Sequence, residues 1–204
     1  MARMVEEQRS DEDLLRDHLE VDPNSFESLV QRYLNELFHF LIRYLGSRAA
    51  AEDVFQESFL QIHLSANTFD HDRRFRPWLF TIATNKARDY HRKHGRRTML
   101  SLNAATNSDK DGPGFIDLLD AELPTPDSPI LDSERSRLVR EVVDSLPVHL
   151  REILLLSYFQ RMSYNQIADT LEIPLGTVKS RLHSAVAAFG EAWRRARVSD
   201  KGVS

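Results

Sequence analysis

The amino-acid sequence predicts an all-α protein of two small helical domains joined by a flexible acidic linker, the C-terminal one containing a helix-turn-helix. Three observations predict it. Apolar residues recur at three- and four-residue steps in each long segment able to supply a core. The charge changes sign midway, from a basic stretch at 73–97 to an acidic, Pro- and Gly-interrupted one at 109–134. The run SYNQIADTLEIPLGTVKSRLHSA, Ser163 to Ala185, reads as two short helices broken at Glu172-Ile173-Pro174. With 204 residues, 41% of them hydrophobic, the chain can build one ordinary domain or two small ones.

The first module opens with DPNSFESLVQRYLNELFHFLIRYLG. Phe26, Leu29, Val30, Tyr33, Leu37, Phe38, Leu41 and Leu45 form its inward stripe. Asn24 with Glu27 is the expected cap, and Gly46 the expected end. The next helix, SRAAAEDVFQESFLQIHL, directs Ala51, Val54, Phe55, Phe59 and Ile62 inward. Its other side lines up Asp53, Gln56, Glu57 and Leu60 at i, i+3, i+4 and i+7, a pattern that suits either a solvated face or a docking strip for a basic partner helix. A third helix is expected from Pro77, where a missing N–H costs nothing. Leu79, Ile82, Ala83, Ala87 and Tyr90 face in, while Thr81, Asn85, Arg88, Asp89 and Arg92 fall on another face. Its cations suit phosphate, and Phe75, Trp78 and Phe80 supply rings on which exposed bases could stack, although Trp78 would serve a core as well.

Residues 98–134 cannot bury enough apolar surface to fold alone and read as linker. About 37 flexible residues span roughly 30–35 Å root-mean-square, close to the ~34 Å of one DNA turn. The second module begins at about residue 135, with a stripe of Leu138, Val142, Val143 and Leu146. Pro147 starts a new helix with Leu150, Ile153, Leu154 and Tyr158 inward. Ser163 and Gln166 make a capping box for YNQIADTL, whose Tyr164, Ile167, Ala168 and Leu171 point to the core. Pro174 takes the first position of the last helix, anchored by Val178, Leu182, Ala185 and Phe189. Thr177, Lys179, Ser180, Arg181, His183 and Ser184 are left outside, where short and basic side chains reach base edges in a major groove.

Other chemistries find little support. No apolar run approaches the ~18 residues of a membrane span, and the charged N-terminus is unlike a signal peptide, so a cytoplasmic protein without membrane insertion is expected. Absence of cysteine removes disulfides and thiolate metal sites. His71-Asp72 and the pair His91/His94 lack further ligands, and the basic surroundings of the latter repel a divalent cation, so neither metal nor cofactor is expected. No P-loop, GxSxG or Gly-rich nucleotide turn occurs, which leaves no candidate catalytic residues. A helix-turn-helix repressor would need an effector pocket for which no residues present themselves.

The chain resembles the extracytoplasmic-function (group four) sigma factors of the sigma-70 family, bacterial RNA polymerase subunits that keep only regions two and four. The resemblance covers about 23–97 and 135–195. It rests on AEDVFQESFLQIH, RPWLFTIATNKARDYHRK and LPVHLREILLLSYFQRMSYNQIADTLEIPLGTVKSRLHSA. It implies region two at 23–97, a linker at 98–134, region four at 135–197 and a tail at 198–204, with 1–22 an extension that is disordered or regulatory. It further implies that Asp53, Gln56, Glu57, Phe59 and Leu60 bind core polymerase at the β′ clamp. Arg76, Asn85, Arg88, Asp89, Arg92 and Lys93 would recognise and melt the −10 element, and Thr177, Lys179, Ser180, Arg181, His183 and Ser184 would read the −35 element. The implied partners are core polymerase (β′ clamp and β flap), promoter DNA and an anti-sigma factor, with a monomer when free of them. Many relatives place glycine where Glu172 stands; a residue other than glycine in a left-handed turn costs roughly 1–2 kcal/mol. Ser184 replaces an arginine of some relatives, so the target sequence is not transferable.

Overall fold

Helix α1, Asp11–Glu20, precedes the segment expected to start the fold. It belongs to a computed structural model that describes residues 9–20, 22–94 and 134–201. Ser10 caps it, its hydroxyl accepting from the Asp13 N–H at 3.0 Å, and three acidic residues in its first turn complement the helix dipole. Leu14 and Leu15 are fully buried. Of the two expectations for the extension, disorder is therefore corrected for residues 11–20: two adjacent buried leucines in an otherwise polar segment pin it to the first bundle. Asp11 accepts from the Tyr33 hydroxyl at 2.5 Å and also pairs with Arg32.

Helices α2 (Pro23–Leu45), α3 (Arg48–Ser65) and α4 (Phe75–His94) complete that bundle, each lying against the other two. The cap of α2 is Asp22 rather than Asn24: its carboxylate accepts from the Asn24 N–H and the Ser25 hydroxyl at 3.1 and 2.7 Å. Gly46 ends the helix at φ 70°, a left-handed turn open to glycine without steric cost. Ser47 then caps α3. Helix α4 starts two residues before Pro77, because the Glu12 carboxylate of α1 accepts from the Phe75 N–H at 2.8 Å and satisfies one of the unpaired first-turn donors. Phe75 and Phe80 are fully buried, so they are core rather than platforms for bases. Trp78 is half-buried, its ring 4.8 Å from that of Phe69.

The second bundle consists of α5 (Glu134–Ser145), α6 (Val148–Leu154), α7 (Tyr164–Leu171) and α8 (Leu175–Lys201). Helix α6 runs on into a π-helical turn, Leu155–Phe159. The linker residues 98–133 lie outside the described residues. The capping box of α7 forms with both hydrogen bonds, at 2.8 and 3.3 Å. Tyr164, expected inward, is exposed, since the first turn of α7 starts at the bundle's rim, while Ile167 and Leu171 reach the core. At the end of α7, Ile173 N–H donates to the Ala168 carbonyl at 3.0 Å and Glu172 N–H to that of Asp169 at 3.4 Å, the pairing of a Schellman turn. Glu172 has φ 54° and ψ 45°, so the glutamate occupies the left-handed position itself. Pro174 stands just before α8 and accepts from Thr177 and Val178 N–H. The anchors Val178, Leu182, Ala185 and Phe189 are all buried.

The two bundles pack against each other, α7 crossing α4 and α5 and α6 meeting α2, so their buried apolar residues form one continuous core. The second bundle brings Arg151, Glu152, Gln160 and Thr170, all buried, to this junction. Replacing Glu172 by glycine should raise the unfolding free energy by up to about 1 kcal/mol by removing left-handed strain; equal denaturation midpoints would contradict that. Burial holds the His18 and His91 imidazoles below the usual 6.5, helped by His63 and Arg151 respectively, while the Tyr44 carbonyl opposes the shift at His91. The unfolded chain therefore takes up protons first. Their stabilising contribution is complete above about 6.5 and is lost as pH falls through the lowered folded values. Thermal midpoints should fall on mild acidification, with a shallower slope in His91→Gln.

Candidate nucleic-acid and polymerase interfaces

Three surfaces carry the candidate residues. On α3, Asp53, Gln56, Glu57 and Leu60 stand exposed on one face, because Ala51, Val54, Ser58 and Ile62 between them are buried. Leu60 is 58% and Leu64 66% exposed, large apolar side chains beside free carboxylates. Phe59 is different. It is 5% exposed and packs against Phe26 and Phe55, so it supports the strip from inside and is removed from its surface.

On α4 the polar residues divide into two groups. Asn85, Arg92 and Lys93 are exposed, and Arg92 pairs with Asp89 at 2.9 Å. Arg76 and Arg88 are committed elsewhere. Arg76 donates through Nε and Nη2 to Glu36 at 3.0 and 2.5 Å, and through Nη2 to the Gln160 carbonyl at 2.8 Å. Arg88 makes a two-pronged bond to Glu152, Nε to Oε2 at 2.9 Å and Nη2 to Oε1 at 2.8 Å, while Nη1 reaches Asn85 at 3.2 Å. The Tyr44 hydroxyl donates to the same carboxylate at 2.9 Å. Glu152 raises the Arg88 pKa through these bonds against the opposing effect of burial. Burial first, then Glu152, pushes the Tyr44 phenol up, so it stays a proton donor. His91 and His94 lie within hydrogen-bond reach of the main-chain carbonyls of Tyr44 and Tyr90, at 3.3 and 3.0 Å.

On α8, Lys179, Ser180, His183 and Ser184 are exposed, and Thr177 and Arg181 half-buried, over the four buried anchors. Gly176 has open space beside it, so a side chain there would meet nothing within the molecule. The helix starts at Leu175, just after Pro174, so Thr177 lies in its first turn and Lys179, Ser180, His183 and Ser184 in the turns that follow.

Sequence reasoning missed Glu36, Tyr44, Arg151, Glu152 and Gln160. One signal was available: Arg151-Glu152 interrupts an apolar run, Leu150 to Leu156, with two charges that a solvated face does not explain.

Residues 29–97 match the model of sigma-70 region 2 and residues 136–189 that of sigma-70 region 4. The chain is 34% identical to the ECF RNA polymerase sigma-E factor of Haemophilus influenzae over 179 residues, 88% of this chain and 93% of that one. The chain belongs to the ECF sigma factors. The factor is also 30% identical over 162 residues to the ECF RNA polymerase sigma factor SigW of Bacillus subtilis, 79% of this chain and 85% of that one. Its fold is that of CnrH, solved with the cytosolic domain of CnrY (TM-score 0.63, 23% identity, 90% and 96% of the two chains). It is also that of sigma factor RpoE from Bartonella quintana, solved with the anti-sigma factor NepR (TM-score 0.61, 21% identity, 83% and 96%). The factor directs promoter-specific transcription initiation and is a transcription factor rather than an enzyme.

Proposed function

We infer that the factor divides its task among the three surfaces. The acidic strip of α3, with Asp53, Gln56, Glu57 and Leu60, docks on a basic helical element of the polymerase β′ clamp. The polar residues of α4, Arg76, Asn85, Arg88, Asp89, Arg92 and Lys93, hold and open the −10 element. The outward residues of α8, Thr177, Lys179, Ser180, Arg181, His183 and Ser184, read the −35 element in duplex form, with the β flap as a further contact. The region-two module then starts at α1, since Glu12 sets the first turn of α4, and the region-four module starts at α5. An anti-sigma protein, of the kind bound to the Bartonella quintana factor, completes the set of partners, and the site of action is the cytoplasm.

The observation that carries this reading is the sorting on α8. Its apolar residues Val178, Leu182, Ala185 and Phe189 are buried, while the hydroxyl, basic and imidazole side chains interleaved with them stay outside. A helix so anchored, following a Schellman turn and a proline, presents short donors at the depth a major groove requires.

Transcription from a promoter library with purified core polymerase tests the reading: start-site selection is expected with the factor and not without it. Asp53→Arg combined with Gln56→Arg should abolish core binding and selection, with stability changed by less than about 0.5 kcal/mol because both positions are exposed. Core binding that survives these two substitutions would refute the clamp assignment. Lys179→Ala should weaken duplex binding and lower its salt slope by about one if the ammonium contacts phosphate; an unchanged slope would remove that contact.

A further inference from the structure

A loop of five exposed residues, Asp70, His71, Asp72, Arg73 and Arg74, stands between a 3-10 turn, Ala66–Thr68, and the first turn of α4. It has internal order. Asp70 accepts from the Asp72 N–H through its carboxylate at 3.1 Å and from the Arg73 N–H through its carbonyl at 2.9 Å. Below it, the buried Phe69 ring meets those of His71, Phe75 and Trp78 at 5.3, 6.2 and 4.8 Å. Both ends of the loop lie against α1, which packs on Ala66–Thr68 and on α4. Two neighbouring carboxylates of α1 converge on the exit. Glu12 accepts from the Phe75 N–H at 2.8 Å, and Asp11 accepts from the hydroxyl of Tyr33, whose ring lies 5.6 Å from that of Phe75.

A first-turn N–H has no partner within its own helix, and proline at a helix start needs none, so Pro77 by itself gives α4 a start two residues later. The Glu12 oxygen supplies the acceptor that adds Phe75 and Arg76 to the helix. Without it these two residues join the loop, which lengthens and loses the end that α1 holds. A longer, looser loop gives up more conformational entropy when it closes on a ligand and binds more weakly. We propose that Glu12 is a positioning residue for reading the −10 element: it fixes the first turn of α4 and with it the stance of residues 70–74, whose carboxylate, imidazole and guanidinium groups meet unpaired bases and phosphates. This rests on the assignment of α4 to the −10 element, and it adds a determinant from outside the matched region 2, residues 29–97.

Holoenzyme reconstituted from core polymerase and the full chain, assayed on promoters randomised at the −10 element, tests the role. Glu12→Ala should flatten the −10 base preference and slow strand opening, read by 2-aminopurine fluorescence, about tenfold, the scale of one hydrogen bond to a charged group. Core affinity and the −35 preference should not change. Glu12→Gln keeps an oxygen at the same reach and should match the unsubstituted chain. Glu12→Asp keeps the charge but withdraws the oxygen by one methylene, and should match Glu12→Ala. Hydrogen exchange at the Phe75 amide should follow the same order, slow with Glu or Gln at position 12 and fast with Asp or Ala. Unchanged preference and opening in Glu12→Ala overturn the positioning role. A defect in Glu12→Gln equal to that of Glu12→Ala also overturns it, because charge and not the Phe75 bond would then be the cause. Should Glu12→Ala fail to melt cooperatively, Glu12→Asp against Glu12→Gln decides, the reverse order or no difference overturning the role. Asn85→Ala combined with Arg92→Ala separates the two levels. If this pair alters the −10 preference and Glu12→Ala does not, the α4 assignment stands and the positioning falls; if neither alters it, both fall. If only Glu12→Ala alters it, the positioning stands and the loop, rather than the body of α4, reads the element.

Discussion

A carboxylate with almost no access to water needs partners, and among the described residues Glu152 finds them across the junction between the bundles. That requirement organises the closed arrangement. Arg88 satisfies both oxygens of Glu152, Tyr44 adds a hydroxyl, and the Tyr44 carbonyl in turn accepts from Arg151. The last residues of α2, the middle of α4 and the body of α6 are therefore fixed relative to one another by one polar cluster rather than by apolar fit alone. Desolvation of a buried ion pair offsets much of its attraction, so such a cluster adds orientation more than net stability. A junction of that kind holds a defined geometry.

Periodicity made the helices legible, and turn chemistry located the helix-turn-helix. Val178, Leu182, Ala185 and Phe189 are buried as their spacing requires, and the Ser163/Gln166 box forms. The expected strain at Glu172 is present, because the Schellman hydrogen bonds fix a left-handed residue there whatever its side chain. Misreadings arose where one residue type suits two environments. Phe75 and Phe80 suit a stacking platform and a core alike, and their burial follows from Tyr33 and Phe40, whose rings lie 5.6 and 5.2 Å away. Tyr164 falls on the periodic stripe but sits in the first turn, too near the rim to be covered. Helix α1 escaped notice because only Leu14 and Leu15 mark its inner face amid charged neighbours. The junction was the least legible feature, since its partners are far apart in sequence and charged, and a charge pattern by itself reads as solvation.

The first bundle shows a second use of the same logic. Glu12 of α1 caps the opening turn of α4, and Asp11 holds Tyr33 of α2. An acidic helix outside the matched sigma-70 regions thus sets where the basic helix begins. The trajectory of Arg76, one residue beyond that cap, depends on it.

The three candidate surfaces differ in how far the packing of the two bundles covers them. The strip on α3 and most of the outward residues of α8 are exposed, whereas Arg76 and Arg88 are bonded to Gln160 and Glu152 of the second bundle. Among the described residues, helix α3 supplies no partner to Glu152, whose carboxylate is held by Arg88 and Tyr44.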